Sequence, residues 1–239
     1  MARHVNFEKL VVPGVRGLQP YVPGKPIEEV EREYGISDSI KLASNENPLG
    51  PSPRVPAAIR DDLDTLGLYP DGGGHYLKEA LAAHHRTSAD AITLGNGSND
   101  ILVLLAEAFL GPGFSAVYDQ YSFVVYRLAV QAAGAKARVA PSLPAQHAQP
   151  LGHDLTTMCG LVDADTRIVF IANPNNPTGT WCHEEELRAL VSGVPPETIV
   201  VIDEAYAEYV SHHGYPNAAA WIEEFPNIVV TRTFSKIYG

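Results

Sequence analysis

The chain is poor in cysteine: only Cys159 and Cys182 occur in its 239 residues. Two thiols without ligand-like spacing exclude a disulfide framework and a cysteine-built metal cluster, and they fit a reducing compartment. No stretch approaches the ~18 consecutive apolar residues of a membrane-crossing helix, and no charged start followed by an apolar run opens the sequence. A cytoplasmic protein is expected. Basic residues are also scarce, 17 Lys and Arg against 28 Asp and Glu for a net charge of -11, and none form a run. That balance argues against nucleic acid or an anionic membrane as partner and favours small-molecule chemistry. The histidine pairs His84–His85 and His212–His213 are sequence neighbours that cannot both face one ion, so no metal is expected.

What is present is a core. A hydrophobic content of 45% supplies one large domain with a small appendage. Residues 1–40 are loop-rich, "VPGVRGLQPYVPGKP", with one short amphipathic segment, "IEEVEREYG", that Gly35 can cap. They read as an arm. Over 41–239, after the Pro-broken "LASNENPLGPSP", apolar β-rich runs alternate with helical patterns: "AITLG", "SAVYD", "KARVA", "RIVFIAN", "TIVVIDEA" and "NIVVTRTF" as strands, with helices such as "NDILVLLAEAFLG", "SFVVYRLAVQAAG", "EEELRALVSG" and "NAAAWIEEF" between them. Near-continuous Val/Ile runs separated by helices predict a three-layer α/β/α fold on a mostly parallel sheet.

Ligands of open α/β sheets sit at the carboxyl ends of the strands. Those ends read "GNGSND", "YDQYSF", "NPNNPTG", "DEAY" and "TFSK", every one polar or glycine-bearing. In "GNGSND" two glycines allow a tight turn before a helix whose first N–H groups, near Ser98 and Asn99, can hold a phosphate. Alone, this is equally a capped helix. It is neither a dinucleotide fingerprint, which needs a third glycine, nor a P-loop, so a nicotinamide-dependent oxidoreductase is disfavoured. Asp203 follows four apolar β-branched residues, where a carboxylate is costly unless a cation or hydrogen bonds compensate. Lys236 ends the last strand segment. An ordinary lysine is almost wholly protonated near neutral pH, and most are solvated surface charges. A phosphate cradle, the aromatic Tyr121, the amide Asn176, the carboxylate Asp203 and a lysine together match the needs of pyridoxal phosphate: a lysine for covalent attachment, a carboxylate for the ring nitrogen and a phosphate site.

"PNNPTG", "DEAY" and "TFSK" resemble the fold-type I pyridoxal-phosphate aminotransferases, and "LQPYVPGKP", "LASNENPLGPSP", "YPDGGGHYLKEAL" and "GNGSND" are similar to their histidinol-phosphate branch. The resemblance implies pyridoxal 5'-phosphate as cofactor and amino transfer between L-histidinol phosphate and 2-oxoglutarate. An aromatic-amino-acid aminotransferase and a threonine-phosphate decarboxylase share most of these motifs, and a non-catalytic fragment is the reading from another class. By the same resemblance, Lys236 joins the cofactor and then moves the substrate proton, Asp203 meets the ring nitrogen, and Tyr206 and Asn176 hydrogen-bond the ring oxygen. Tyr121 stacks on the ring, while Ser98, Asn99 and Ser235 bind the phosphate. Tyr69 reaches the phosphate of a neighbouring subunit, implying a homodimer; Tyr21 and Asn47 lie toward the substrate. Residues 1–40 then belong to a small domain and 41–239 to the cofactor-binding large domain. The family continues for about a further hundred residues beyond the lysine. A further strand and the substrate-binding arginines are expected in that segment, leaving the last strand seen here as a sheet edge.

Overall fold

A computed structural model describes residues 7–239; residues 1–6 of the predicted arm lie outside the described residues. The helices are α1 (Ile27–Tyr34), α2 (Arg54–Asp62), α3 (His75–His85), α4 (Ser98–Phe109), α5 (Val124–Ala132), α6 (Leu155–Gly160) and α7 (Glu184–Gly193). The strands are β1 (Ser115–Asp119), β2 (Lys136–Ala140), β3 (Thr166–Ala172), β4 (Ile199–Asp203) and β5 (Ile228–Thr231). Two compact units result: one takes Leu68–Thr233 with N-terminal residues up to Leu18, the other Gln19–Gly67 with Phe234–Gly239.

In the larger unit the five strands pair in the order β2-β1-β3-β4-β5, all parallel. Alternation along each strand sends side chains to opposite faces. Ile168, Phe170 and Ala172 of β3 pack with Leu102 and Ala106 of α4 and with Tyr126 and Val130 of α5. Val169 and Ile171 pack on the other side with Met158 of α6 and Leu187, Leu190 and Val191 of α7. Both faces are therefore dry, which is why these strands read as unbroken apolar runs. Register then lines up the carboxyl ends: Ala172 is opposite Asp203, Asp203 opposite Thr231, and Asp119 opposite Ala140. Among the described residues β5 pairs only with β4 and is a sheet edge.

Two expected elements take another form. "AITLG", residues 91–95, forms no strand: Ala91 ends the 3-10 turn Ala89–Ala91 and Ile92 is extended, but no strand among the described residues offers the segment a partner. "NAAAWIEEF" forms only the 3-10 turn Ala218–Trp221. The buried Trp221, under the Arg188 guanidinium at 4.5 Å, pins the turn to the core.

In the smaller unit α1 ends as expected, with Gly35 at φ 65° donating to the Glu31 carbonyl. The Asn47 amide donates to the Ile237 carbonyl at 2.8 Å, and its Oδ1 accepts from Leu49 N–H at 3.0 Å. Asn47 thus fixes both its own turn and the segment that carries Lys236.

Candidate active site

Asp203 closes β4 and is buried. Its Oδ2 accepts from the Tyr126 hydroxyl at 2.8 Å, and its Oδ1 accepts from the Thr231 hydroxyl at 2.9 Å and from Ala205 N–H at 3.3 Å. Three donors from α5, β5 and the following turn hold the carboxylate in one orientation. Tyr126 is itself fully buried and stacks on Phe170 at 4.8 Å. Burial, then the adjacent Asp203 charge, pushes its phenol well above the usual range, so it acts as a donor only. Tyr126→Phe should cost about 1.5–3 kcal/mol of stability, the usual range for a hydrogen bond to a charged group. Urea unfolding checks this, and an unchanged midpoint would refute it.

The loops around Asp203 come from the neighbouring strand ends. After β1, Tyr121 donates its N–H to Asp119 Oδ1 at 2.8 Å, and its carbonyl accepts from Asn175 Nδ2 at 3.0 Å. The backbone is clamped while the ring stays half-exposed. After β3, "NPNNPTG" is held by its own amides. Asn173 Oδ1 accepts from Cys182 N–H at 2.8 Å, and Asn175 Nδ2 also reaches Thr178 Oγ1 at 2.8 Å. Asn176 is left half-buried at the rim. Tyr206 follows β4 at the start of the 3-10 turn Ala207–Tyr209, its ring 6.3 Å from that of Tyr209.

Before α4, Gly97 adopts φ 83°, a conformation that other residues rarely take, and Ser98 and Asn99 open the helix. Asp100 Oδ2 accepts from Asn96 N–H at 3.0 Å and holds the turn. A Cβ placed on Gly97 would lie 3.9 Å from the Thr233 hydroxyl, so Thr233 flanks the helix start. Carboxylate, amide, aromatic ring and helix N-terminus therefore gather on one edge of the larger unit. Lys236 and Ser235 belong to the smaller unit, as do Tyr21 and Asn47; Lys236 is half-buried, whereas Ser235 and Tyr21 are exposed. Tyr69 lies in the larger unit and is fully exposed. Among the described residues no cluster of three or more His, Cys, Asp or Glu forms a metal site, and no helix is long and apolar enough to cross a membrane.

Tyr126, Thr231 and Thr233 were not singled out in the sequence. The signal for Tyr126 is a lone hydroxyl on the apolar face of "FVVYRLAV", since a buried tyrosine oxygen requires a partner. Thr231 and Thr233 are polar residues at the end of an apolar strand, the same signal that marks Asp203.

A family profile described as "Aminotransferase class I and II" matches residues 37–239. Histidinol-phosphate aminotransferase 1 of Nitrosococcus oceani is 51% identical over 233 residues, covering 98% of this chain and 61% of that protein. Histidinol-phosphate aminotransferase 2 of Methylococcus capsulatus is 54% identical over 235 residues, covering 98% and 63%. The crystal structure of the Sinorhizobium meliloti histidinol-phosphate aminotransferase in complex with pyridoxal-5'-phosphate superposes with a TM-score of 0.82 at 30% identity, covering 95% of this chain and 59% of that one. The chain thus spans about three-fifths of the length of these relatives. With a parallel sheet, its polar carboxyl edge and a profile match over most of its length, the chain belongs to the class I and II aminotransferase family.

Proposed function

We propose that the chain is the cofactor-binding part of an enzyme that moves an amino group between L-histidinol phosphate and 2-oxoglutarate, yielding imidazole-acetol phosphate and L-glutamate. The observation that carries the chemistry is the Asp203 carboxylate, oriented by Tyr126, Thr231 and Ala205 at the sheet edge. The substrate assignment follows the relatives named above, which match over 98% of the chain. Residues 41–239 form the large domain in this reading, and 1–40 an arm of the small one.

The donor set fits pyridoxal 5'-phosphate: a fixed anion suits a protonated ring nitrogen, and a glycine-opened helix start with two hydroxyl side chains near it suits a phosphate dianion. When bound, the cofactor supplies a sink for the electron pair left at the substrate Cα. Asp203 keeps the proton on the ring nitrogen, and Asn176 and Tyr206 donate to the ring oxygen. Tyr121 covers the ring face and excludes water, while Ser98, Asn99 and Ser235 hold the phosphate. Lys236 provides the attaching amine and afterwards the base that carries the Cα proton. Tyr21 and Asn47 line the substrate side. Homodimer formation, with Tyr69 reaching the partner's phosphate, is supported by the full exposure of that ring and by the exposed Ile40, Leu42 and Leu49. A cytoplasmic location goes with this reading.

The test is glutamate formation by the purified polypeptide with pyridoxal phosphate, L-histidinol phosphate and 2-oxoglutarate, beside phenylalanine or tyrosine as donor. A kcat/KM at least about tenfold higher for histidinol phosphate is expected, because a site built for a phosphate rejects donors that lack one. Parity with the aromatic donors would reassign the substrate, and carbon dioxide release from threonine phosphate would replace the reaction class.

A further inference from the structure

His153 lies outside every residue set discussed above, yet it is buried beside two of the strand ends that build the site. Its placement begins with the Pro/Ala/Gln loop after β2. Leu143 N–H donates to the Gly152 carbonyl at 2.8 Å and Leu151 N–H to the Leu143 carbonyl at 3.1 Å, closing the loop into a neck. Ser142 and His153 flank that neck. On the far side Asp154 caps α6, its Oδ1 accepting from Thr157 N–H at 2.9 Å, so the chain is fixed on both sides of the imidazole.

Both neck residues meet Asp119, the wholly buried last residue of β1. Ser142 Oγ donates to its Oδ1 at 2.6 Å, the same oxygen that accepts the Tyr121 N–H. Oδ2 lies 3.6 Å from His153 Nδ1, and the other ring nitrogen, Nε2, is 2.9 Å from the carbonyl of Ala172, the last residue of β3. A carbonyl only accepts, so Nε2 carries a hydrogen. Nδ1 faces a carboxylate oxygen with no other partner, in a site closed to water. Two bare lone pairs opposed there would repel, whereas a proton on either atom makes the 3.6 Å contact attractive.

We propose that His153 is a positioning residue: through a protonated contact with Asp119 and a hydrogen bond to Ala172, it holds the Tyr121 turn and the Asn173–Asn176 loop at a fixed spacing. Asn175, whose amide reaches the Tyr121 carbonyl, makes the second tie between these loops. The consequence for Tyr121 rests on the role given to its ring above; the bridge itself does not.

The test uses His153→Gln, whose side-chain amide can still donate to Ala172 but leaves Asp119 without its protonated contact. In nitrogen-15 spectra of the unliganded wild-type protein, His153 Nδ1 is expected at a protonated or hydrogen-bonded shift, and a bare-lone-pair shift would overturn the bridge. Amide exchange then reads the positioning: the Tyr121 N–H should exchange about tenfold faster in the variant, while that of Val117 in β1 is unchanged. Equal acceleration of both, or of neither, would reduce His153 to an ordinary packing residue. With cofactor, H153Q should weaken pyridoxal phosphate binding about fivefold in the wild-type background and less than about twofold in Tyr121→Leu, since a residue acting through another loses its effect when that one is gone. The same loss in both backgrounds would contradict action through Tyr121. If the wild-type protein takes up no pyridoxal phosphate, the proposed function fails, while the ring spectra and amide exchange still decide the fate of His153.

Discussion

On the proposed function, Lys236→Ala is expected to lower kcat for amino transfer by about four orders of magnitude or more, because a positioned base contributes roughly 10²–10⁴-fold on its own and the covalent attachment proposed for this lysine would be lost with it. The substitution removes no core packing: Lys236 is half-buried in a turn, where its own carbonyl accepts from Gly239 N–H at 3.2 Å. Folding should therefore be nearly unaffected. Pyridoxal phosphate should still bind, more weakly, through the Asp203 edge and the start of α4. Two readouts separate loss of chemistry from loss of the protein. Unfolding midpoints of wild type and variant should agree, and borohydride reduction at equimolar cofactor should leave pyridoxal phosphate on the wild-type peptide containing Lys236 but add none to the corresponding variant peptide. A variant that kept more than about a hundredth of the wild-type kcat would transfer the role to another group.

Most of the fold was legible in the sequence for one physical reason. Strands covered on both faces are largely apolar, so the runs "RIVFIA" and "IVVI" fall within β3 and β4, and the first polar residues after such runs fall at the carboxyl edge. "AITLG" carries the same pattern but fails as a strand, because pairing needs a neighbour and composition cannot supply one. The partners of the site residues were hidden for a related reason. Tyr126 and Asp203 are 77 positions apart, and Asn175 and Tyr121 are 54 apart. Only the strand order and register bring them together. His153 gave no signal at all, since its meaning depends on the ends of β1 and β3, which α5, β2 and α6 separate in the sequence. Asn175 and Asn176 show the finer limit: both stand in "PNNPTG", but only the folded loop shows that Asn175 is buried in the loop's own hydrogen bonds and Asn176 is left at the rim.

Beyond the cofactor edge, the largest stability effect is expected at Arg232, just past β5. Its guanidinium pairs with Glu204 and, at 3.2 Å, with Glu208. Glu204 neighbours Asp203 in the chain but is wholly buried, and burial pushes its carboxyl up to about 7 against the pull of Arg232. The unfolded chain loses this proton near 4.5 and the folded one near 7, so between those values the folded state binds more protons. Stability therefore falls as pH rises through that window, by roughly 3 kcal/mol in all, and levels off above it. Arg232→Met removes the cation while keeping an unbranched apolar stem. It should cost about 3–5 kcal/mol above pH 8, where Glu204 must be charged or hold its proton at a penalty, a large part of a typical stability of about 5–15 kcal/mol. Below about pH 6 the loss should shrink, because a neutral carboxyl has no charge left to compensate. The decline with pH should also extend further upward in R232M, since without Arg232 the Glu204 proton is held more tightly. Glu204→Gln combined with Arg232→Met should restore most of the stability and flatten its pH dependence, because a neutral buried amide does not need the cation. Urea unfolding of the wild type, R232M and the double variant at pH 6 and 8.5 decides it. Equal losses for R232M at both pH values, with no recovery in the double variant, would mean that Arg232 contributes through the packing of its stem and not through its charge.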